Sequence, residues 1–290
     1  MSEQLSGWLI YKKKDAEKNH GFIKMLVDEA ANLHISLQLV LEEDLLYGIK
    51  NSQFTLSHSI YDVKKINFAI VRTINPLLTK QLEYQGIRCF NNSAISEMCN
   101  DKALTYQYAA KIGLPLLDTY FISYETFQPE LVILDFPLVL KQVDGRGGNE
   151  VYLIDTLEGI LNKLKDYPHK RFVLQVFAEN PGKDVRVFVI GSKIIGAVLR
   201  ESSTSFKANY TLGGNVSAYQ LNEAENLLVS KITSSIKADF VGIDFLLNSK
   251  NEFIFNEIED VVGCRSLYST SNVNAAALYM KYIKKTINRE

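Results

Sequence analysis

The segment from Phe240 to Glu259 constrains this chain more than any other, because it sets three carboxylates into an otherwise apolar hairpin. The run Phe240-Val241-Gly242-Ile243-Asp244-Phe245-Leu246-Leu247 leads through the polar turn Asn248-Ser249-Lys250-Asn251 into Glu252-Phe253-Ile254-Phe255-Asn256-Glu257-Ile258-Glu259. A turn of this length pairs Leu247 with Glu252. Asp244 then lies opposite Phe255, and Glu257 is a same-face diagonal neighbour about 7–8 Å away. Glu259 is one step further along that face, which the three carboxylates share with Leu246, Phe253 and Phe255. Clustered carboxylates beside apolar side chains are costly unless cations neutralise them. Hard oxygen donors without His or Cys select Mg2+, with Mn2+ as the alternative, and Mg2+ is commonly held together with substrate phosphates. The competing reading is a solvated face at a sheet edge, against which the apolar neighbours weigh.

Cations suited to phosphate chemistry precede the hairpin. Asp184 and Arg186 alternate onto one face of a strand, and Arg200 ends the strand predicted to pair with it. Lys141 closes an apolar strand just before Asp144-Gly145-Arg146-Gly147-Gly148. A lysine there reaches a phosphate while the glycines let backbone N–H groups approach it.

Other chemistries fall away on composition. The 290 residues carry 32 Lys+Arg against 33 Asp+Glu, a net charge of -1, so no basic surplus exists for a nucleic acid. Cys89, Cys99 and Cys264 form no short-spaced pair, and His20, His34, His58 and His169 fall in no zinc-ligand spacing. The N-terminus carries Glu3 where a secretory signal wants cations, and no apolar run approaches the ~20 residues of a membrane span. These features predict a cytoplasmic protein with neither a membrane nor a nucleic-acid partner.

Along the chain, Trp8–Tyr11, Ile35–Leu41, Phe68–Val71 and Ile87–Phe90 read as strands, alternating with helices over Gly21–Leu33 and Leu77–Tyr84. That alternation predicts a parallel α/β unit. It lacks both G-x-G-x-x-G and G-x-x-x-x-G-K-[ST], which removes a nicotinamide-dependent oxidoreductase and a Walker loop. Arg72, at the end of a strand, faces either a cleft or solvent. A helix over Asn100–Gly113 with Asn100 as N-cap, strands Phe136–Lys141, Val151–Ile154 and Phe172–Phe177, and a helix opening at Asp155 form an α+β unit. After Pro181-Gly182 come the hairpin Asp184–Arg200, a polar loop Glu201–Asn215, a helix Glu223–Ala238, the acidic hairpin and a closing helix Val273–Ile287.

The ordered set Asn100-Asp101-Lys102, Phe136–Lys141, Gly145-Arg146-Gly147-Gly148, Asp184-Val185-Arg186, Phe206-Lys207-Ala208-Asn209, Gly242-Ile243-Asp244 and Asn256-Glu257-Ile258-Glu259 resembles the ATP-grasp ligases, and within them the RimK-type (RimK/LysX-like) amino-acid ligases. The resemblance spans almost the whole chain. It implies an α/β and α+β ATP-grasp fold in three parts: a Rossmann-like pre-ATP-grasp domain (1–95), a central subdomain (96–178) and a C-terminal subdomain with the metal site (179–290). It implies that Lys102, Lys141 and the turn Gly145, Arg146, Gly147, Gly148 hold ATP phosphates, and that Gln175, Val176 and Phe177 read adenine. Asp184, Lys207, Ala208 and Asn209 are implied as further nucleotide contacts, Arg186, Arg200 and Lys207 as catalytic cations, and Asp244, Glu257 and Glu259 as Mg2+ ligands.

The implied reaction joins a small-molecule or peptide carboxylate to an amino-acid amine, such as glutamate, through an acyl phosphate, in a chain that forms homo-oligomers by analogy. A dipeptide or D-amino-acid ligase, or a non-catalytic ATP-binding module, are the alternatives. This chain departs from the family at three positions. Glu259 stands where Asn is usual, Lys207 replaces a more usual arginine, and Val262 occupies the proline position of E-x-N-x-x-P-G, which predicts another shape for the loop Asp260–Arg265.

Overall fold

The computed structural model describes residues 4–58, 60, 66–148, 150–207 and 214–289. Its first part runs β1 (Ser6–Tyr11), α1 (Lys13–Lys18), α2 (His20–Asn32), β2 (Ser36–Leu41), β3 (Leu45–Lys50), β4 (Gln53–His58), β5 (Phe68–Val71), α3 (Pro76–Tyr84) and β6 (Arg88–Phe90). The order β2-β1-β5-β6 makes a parallel sheet, with β3 and β4 as a separate antiparallel hairpin. The strands are apolar on both faces because both faces are covered. Trp8 and Ile10 meet Leu78 and Leu82 of α3, while Leu9 and Tyr11 meet Ile23 and Leu26 of α2. The chain leaves β1 for β2 on one side and returns to β5 on the other, so the strand order reverses between β1 and β5. Arg72 lies at that reversal and is buried.

Then follow α4 (Ser93–Cys99), α5 (Lys102–Lys111), β7 (Thr119–Ser123), β8 (Leu138–Gln142), β9 (Val151–Ile154), α6 (Leu157–Asp166) and β10 (Arg171–Val176). These strands form an antiparallel sheet in the order β7-β10-β8-β9, backed by Ile160 and Leu164 of α6. Two predicted helix starts shift. Asp101, not Asn100, caps α5 by accepting from the N–H groups of Ala103 and Leu104, because Asn100 is taken up at the end of α4. Thr156, not Asp155, caps α6 through the N–H of Gly159.

The last part comprises β11 (Lys183–Ile190), β12 (Lys193–Glu201), β13 (Asn215–Ala218), α7 (Glu223–Ser235), β14 (Phe240–Leu247), β15 (Phe253–Glu259), α8 (Arg265–Thr270) and α9 (Ala275–Ile287). Its antiparallel sheet has the order β13-β12-β11-β14-β15. One face carries Val185, Val187, Ile243, Phe245, Phe253 and Phe255 against α5 and α7. The other changes character along its length. Phe188, Ile190 and Phe240 pack on Tyr279 and Met280 of α9, in a core shared with the first sheet. Toward the opposite end the same face carries Asp184, Arg186, Arg200 and Asp244.

Candidate active site

A cleft of about 260 Å3 lies between the second and third sheets. Its acidic end depends on an irregularity in the second hairpin. Leu247 pairs with Phe253 and Phe245 with Phe255, after which the register shifts so that Asp244 pairs with Glu257 and Gly242 with Glu259. The predicted pairing of Leu247 with Glu252 is therefore one residue out, and the extra residue Asn256 forms a β-bulge that reverses the alternation. Phe253 and Phe255 consequently face the α5/α7 core instead of sharing the carboxylates' side. Asn256, Glu257 and Glu259 line the cleft.

Asp244 is fully buried and receives both arginines. Arg186 Nε donates to Oδ1 and its Nη2 to Oδ2, each at 2.7 Å, and Arg200 Nη2 donates to Oδ2 at 2.7 Å. Arg186 Nη2 also reaches Glu259 at 2.7 Å, and Arg200 grips Asp184 through two bonds of 2.5 and 2.7 Å. The register makes this possible, since Asp184 faces Arg200 across β11/β12 and Arg186 faces Asp244 across β11/β14. Burial pushes the Asp244 carboxyl up, but Arg186 and Arg200 outweigh it and hold the group at about 2. Burial raises Glu259 and Asp184 despite Arg186 and Arg200 respectively.

Carboxylate oxygens of Asp244, Glu257 and Glu259 lie within 4.8 Å of one another. Oxygens sharing one Mg2+ at ~2.1 Å bond lengths are at most about 4.2 Å apart, so a small adjustment of Glu257 and Glu259 suffices, while Asp244 can join them only through an oxygen shared with Arg186 or Arg200; the all-oxygen donor type fits the ion. Arg186 balances the charge that Glu259 adds.

At the other end, Lys141 on β8 donates to Gln175 Oε1 at 2.8 Å, Asn256 Oδ1 at 3.1 Å and the Tyr106 hydroxyl at 3.2 Å. Lys102 at the start of α5 donates to the Gly145 carbonyl at 2.5 Å and stands 3.8 Å from Glu257. Gly147 and Gly148 take φ of 62° and 76°, left-handed values that need glycine. Lys207 donates to the Gly148 carbonyl at 2.5 Å, and burial lowers its ammonium. Val139, Val176, Phe177, Phe206 and Leu246 give the cleft an apolar slot beside these lysines.

Most predicted site residues thus share one cleft, with two exceptions in kind. Arg186, Arg200 and Asp244 form a charged layer beneath the wall, while Ala208 and Asn209 fall outside the described residues. Three participants were not predicted. Tyr106 carries no sequence signal, whereas Asn256 and Asn100 stood inside quoted motifs. Arg146 binds the Asn100 amide oxygen and lies 3.7 Å from Asp260, fixing the glycine turn to α4.

Residues 99–283 match the RimK-like ATP-grasp domain, and the chain belongs to that family. It is 29% identical over 216 residues to glutamate–LysW ligase ArgX of Sulfurisphaera tokodaii, covering 72% of this chain and 77% of that one. The fold is shared with a RimK domain ATP-grasp protein from Sphaerobacter thermophilus, at TM-score 0.72, 16% identity and coverage of 96% and 99%. It is also shared with a Chryseobacterium gregarium RiPP-associated ATP-grasp ligase, solved with ADP and a leader and core peptide, at TM-score 0.73, 15% identity and 97% coverage of both chains.

Proposed function

We propose that the cleft binds ATP and joins a substrate carboxylate to an amine, as an ATP-dependent carbon–nitrogen ligase. The observation that carries this reading is the convergence of Lys102, Lys141, Lys207 and the Gly145–Gly148 turn with Glu257 and Glu259 on one cleft, with Asp244 directly beneath the two acids. The nucleotide's base fits the slot of Val139, Val176, Phe177 and Leu246, and the lysines and turn amides receive its phosphates. Asp244, Glu257 and Glu259 are the residues that would hold Mg2+, which supplies charge neutralisation at phosphate oxygens. A carboxylate oxygen attacks the γ-phosphorus, the bond to the β-phosphate bridging oxygen breaks, and ADP leaves. An amine nitrogen then attacks the acyl phosphate carbon, inorganic phosphate departs, and the amine loses its proton to solvent. Lys102 and Lys207 stabilise charge spreading over the transferred group. Arg186 and Arg200 fix the acidic residues by direct ion pairs. The Sulfurisphaera relative's name specifies glutamate, which supports glutamate as a substrate here.

The division into lobes 1–95, 96–178 and 179–290 belongs to the same reading, with ATP between the second and third, as does a cytoplasmic setting. No helix among the described residues is long and apolar enough to cross a membrane.

The test incubates the protein with ATP, Mg2+ and pooled amino acids and follows ADP and new amides by mass. Amino-acid-dependent ADP release is expected, and Glu257→Ala should abolish it while the fold survives. Full activity in that variant would sink the metal assignment. ADP binding without stimulated turnover would point to a non-catalytic module.

A further inference from the structure

We propose that Arg72 and Tyr11 form a subsite for a substrate carboxylate that does not receive the phosphoryl group, at the carboxyl ends of β1 and β5. This rests on the ligase reading above. Four observations carry it. First, the strand order reverses between β1 and β5, and in open parallel sheets ligands bind outside the carboxyl ends of the strands at such a reversal. Tyr11 ends β1 and Arg72 directly follows β5, its N–H bonded to the Ile10 carbonyl at 2.8 Å.

Second, Arg72 is a buried cation, 6% exposed, with no carboxylate in ion-pair distance among the described residues. Its Nη2 donates to the Val262 carbonyl at 2.7 Å, a neutral acceptor, and its Nε has no partner. The Tyr11 hydroxyl is also buried and has no acceptor for its proton, the donor-only Arg72 guanidinium being its polar neighbour. A guanidinium with an unpaired Nε and a phenol whose proton has no acceptor are complementary to one anion, and a carboxylate matches the guanidinium fork.

Third, the guanidinium is held in place by rings, its carbon 5.1 Å from the centroid of Phe22 and 5.9 Å from that of Tyr11. The donors are therefore preorganised instead of searching solvent.

Fourth, the location is correct for a reacting substrate. The loop 260–264 runs from the acidic end of the cleft to Arg72. Val261 lines the cleft, while Val262 turns its carbonyl to Arg72 and packs on Gly242, the partner of Glu259. Gly263 stands beside open space, where an added Cβ would meet nothing within 4 Å. A substrate whose reacting group sits at Glu257 and Glu259 can thus extend a second carboxylate toward Arg72, displacing the Val262 carbonyl.

The rival role is a purely structural tether between the first and third sheets, and a binding measurement separates the two. The full-length protein with ADP and Mg2+ is titrated calorimetrically with L-glutamate, its α-amide and its γ-amide, and the affinity for ADP is measured alongside. The wild type is expected to bind glutamate on the order of 10–100-fold more tightly than one of the two amides, the size of a charged hydrogen bond. Arg72→Met should erase that difference with ADP affinity unchanged, and Arg72→Lys should retain part of it. Tyr11→Phe, which removes a single oxygen, should reduce it several-fold and keeps the question open to measurement if Arg72→Met does not fold. Discrimination that is undiminished in Arg72→Met or in Tyr11→Phe overturns the subsite. So does a loss of ADP affinity in Arg72→Met, which marks a tether, and so does a wild type that binds ADP but treats the three probes alike. These outcomes leave the ligase reading standing, whereas a wild type that binds no ADP overturns that reading itself.

Discussion

Asn256 shows how one residue can decide a site. By alternation alone, Phe253, Phe255, Glu257 and Glu259 would share a face, and the acids would be forced into the company of two phenylalanines. Asn256 absorbs one position, so both rings join the core and both acids reach the cleft. Its amide oxygen then accepts from Lys141, linking the acidic end to the lysine end. Arg186 has a comparable weight, since it is the shared partner of buried Asp244 and of Glu259. Breaking a buried pair by removing one partner leaves an uncompensated charge, so Arg186→Met should cost ~3–5 kcal/mol in urea unfolding. With Lys141 in the proposed role of phosphate ligand, Lys141→Met is expected to weaken ADP binding by ~10-fold or more in calorimetry, the loss of a charge-assisted contact.

At the scale of elements, the termini of strands and helices place the chemistry. Gly182 opens β11 with a φ of 77°, and an added Cβ would lie 2.7 Å from the Ser202 carbonyl and 2.8 Å from that of Ser205. Gly182→Ala should therefore destabilise the protein by more than ~1 kcal/mol and loosen the segment that brings Lys207 to Gly148. The helix α7 begins with a reciprocal cap in which Asn222 accepts from Glu225 N–H and Glu225 accepts from Asn222 N–H. Replacing Asn222 with Ala should cost about 1 kcal/mol in thermal or urea unfolding, without altering ADP affinity. The loop after β15 takes a form that follows from Val262, whose buried side chain covers Gly242 and whose carbonyl is turned to Arg72.

For the whole molecule, the informative feature is a core continuous between the first and third sheets through α9. A polar cluster reinforces it: Tyr282 of α9 donates to Asp239 at 2.9 Å, and Arg88 of β6 reaches the same oxygen at 2.8 Å. Burial, aided by Asp239, pushes the Tyr282 phenol up to about 12. The neutral phenol is the bonded form, so its contribution is complete below the ordinary tyrosine pKa of ~10 and is lost as pH rises toward 12. In urea titrations from pH 9 to 12, Tyr282→Phe should lower stability at the start of the range and fall less steeply through it. Equal slopes for the two proteins would show that the phenol is not coupled to folding.

Local sequence was sufficient for most of the elements, because apolar period and turn chemistry are encoded within a few residues. The parallel strands of the first sheet, the hairpin Asp184–Arg200 and the closing helix are all legible this way. So was the set of acids, lysines and glycine turn that the structure gathers at the candidate site, because residue type and order are local features of the chain. The hairpin β3–β4 was not legible, since its strands are half polar and leave Leu46 and Ile49 exposed. Tertiary structure alone decided the register at Asn256, the pairing of Arg186 and Arg200 with buried acids, and the placing of Arg72 under Val262. Each depends on contacts between residues far apart in the chain, where the energy of burying a charge is set by what other strands deliver beside it.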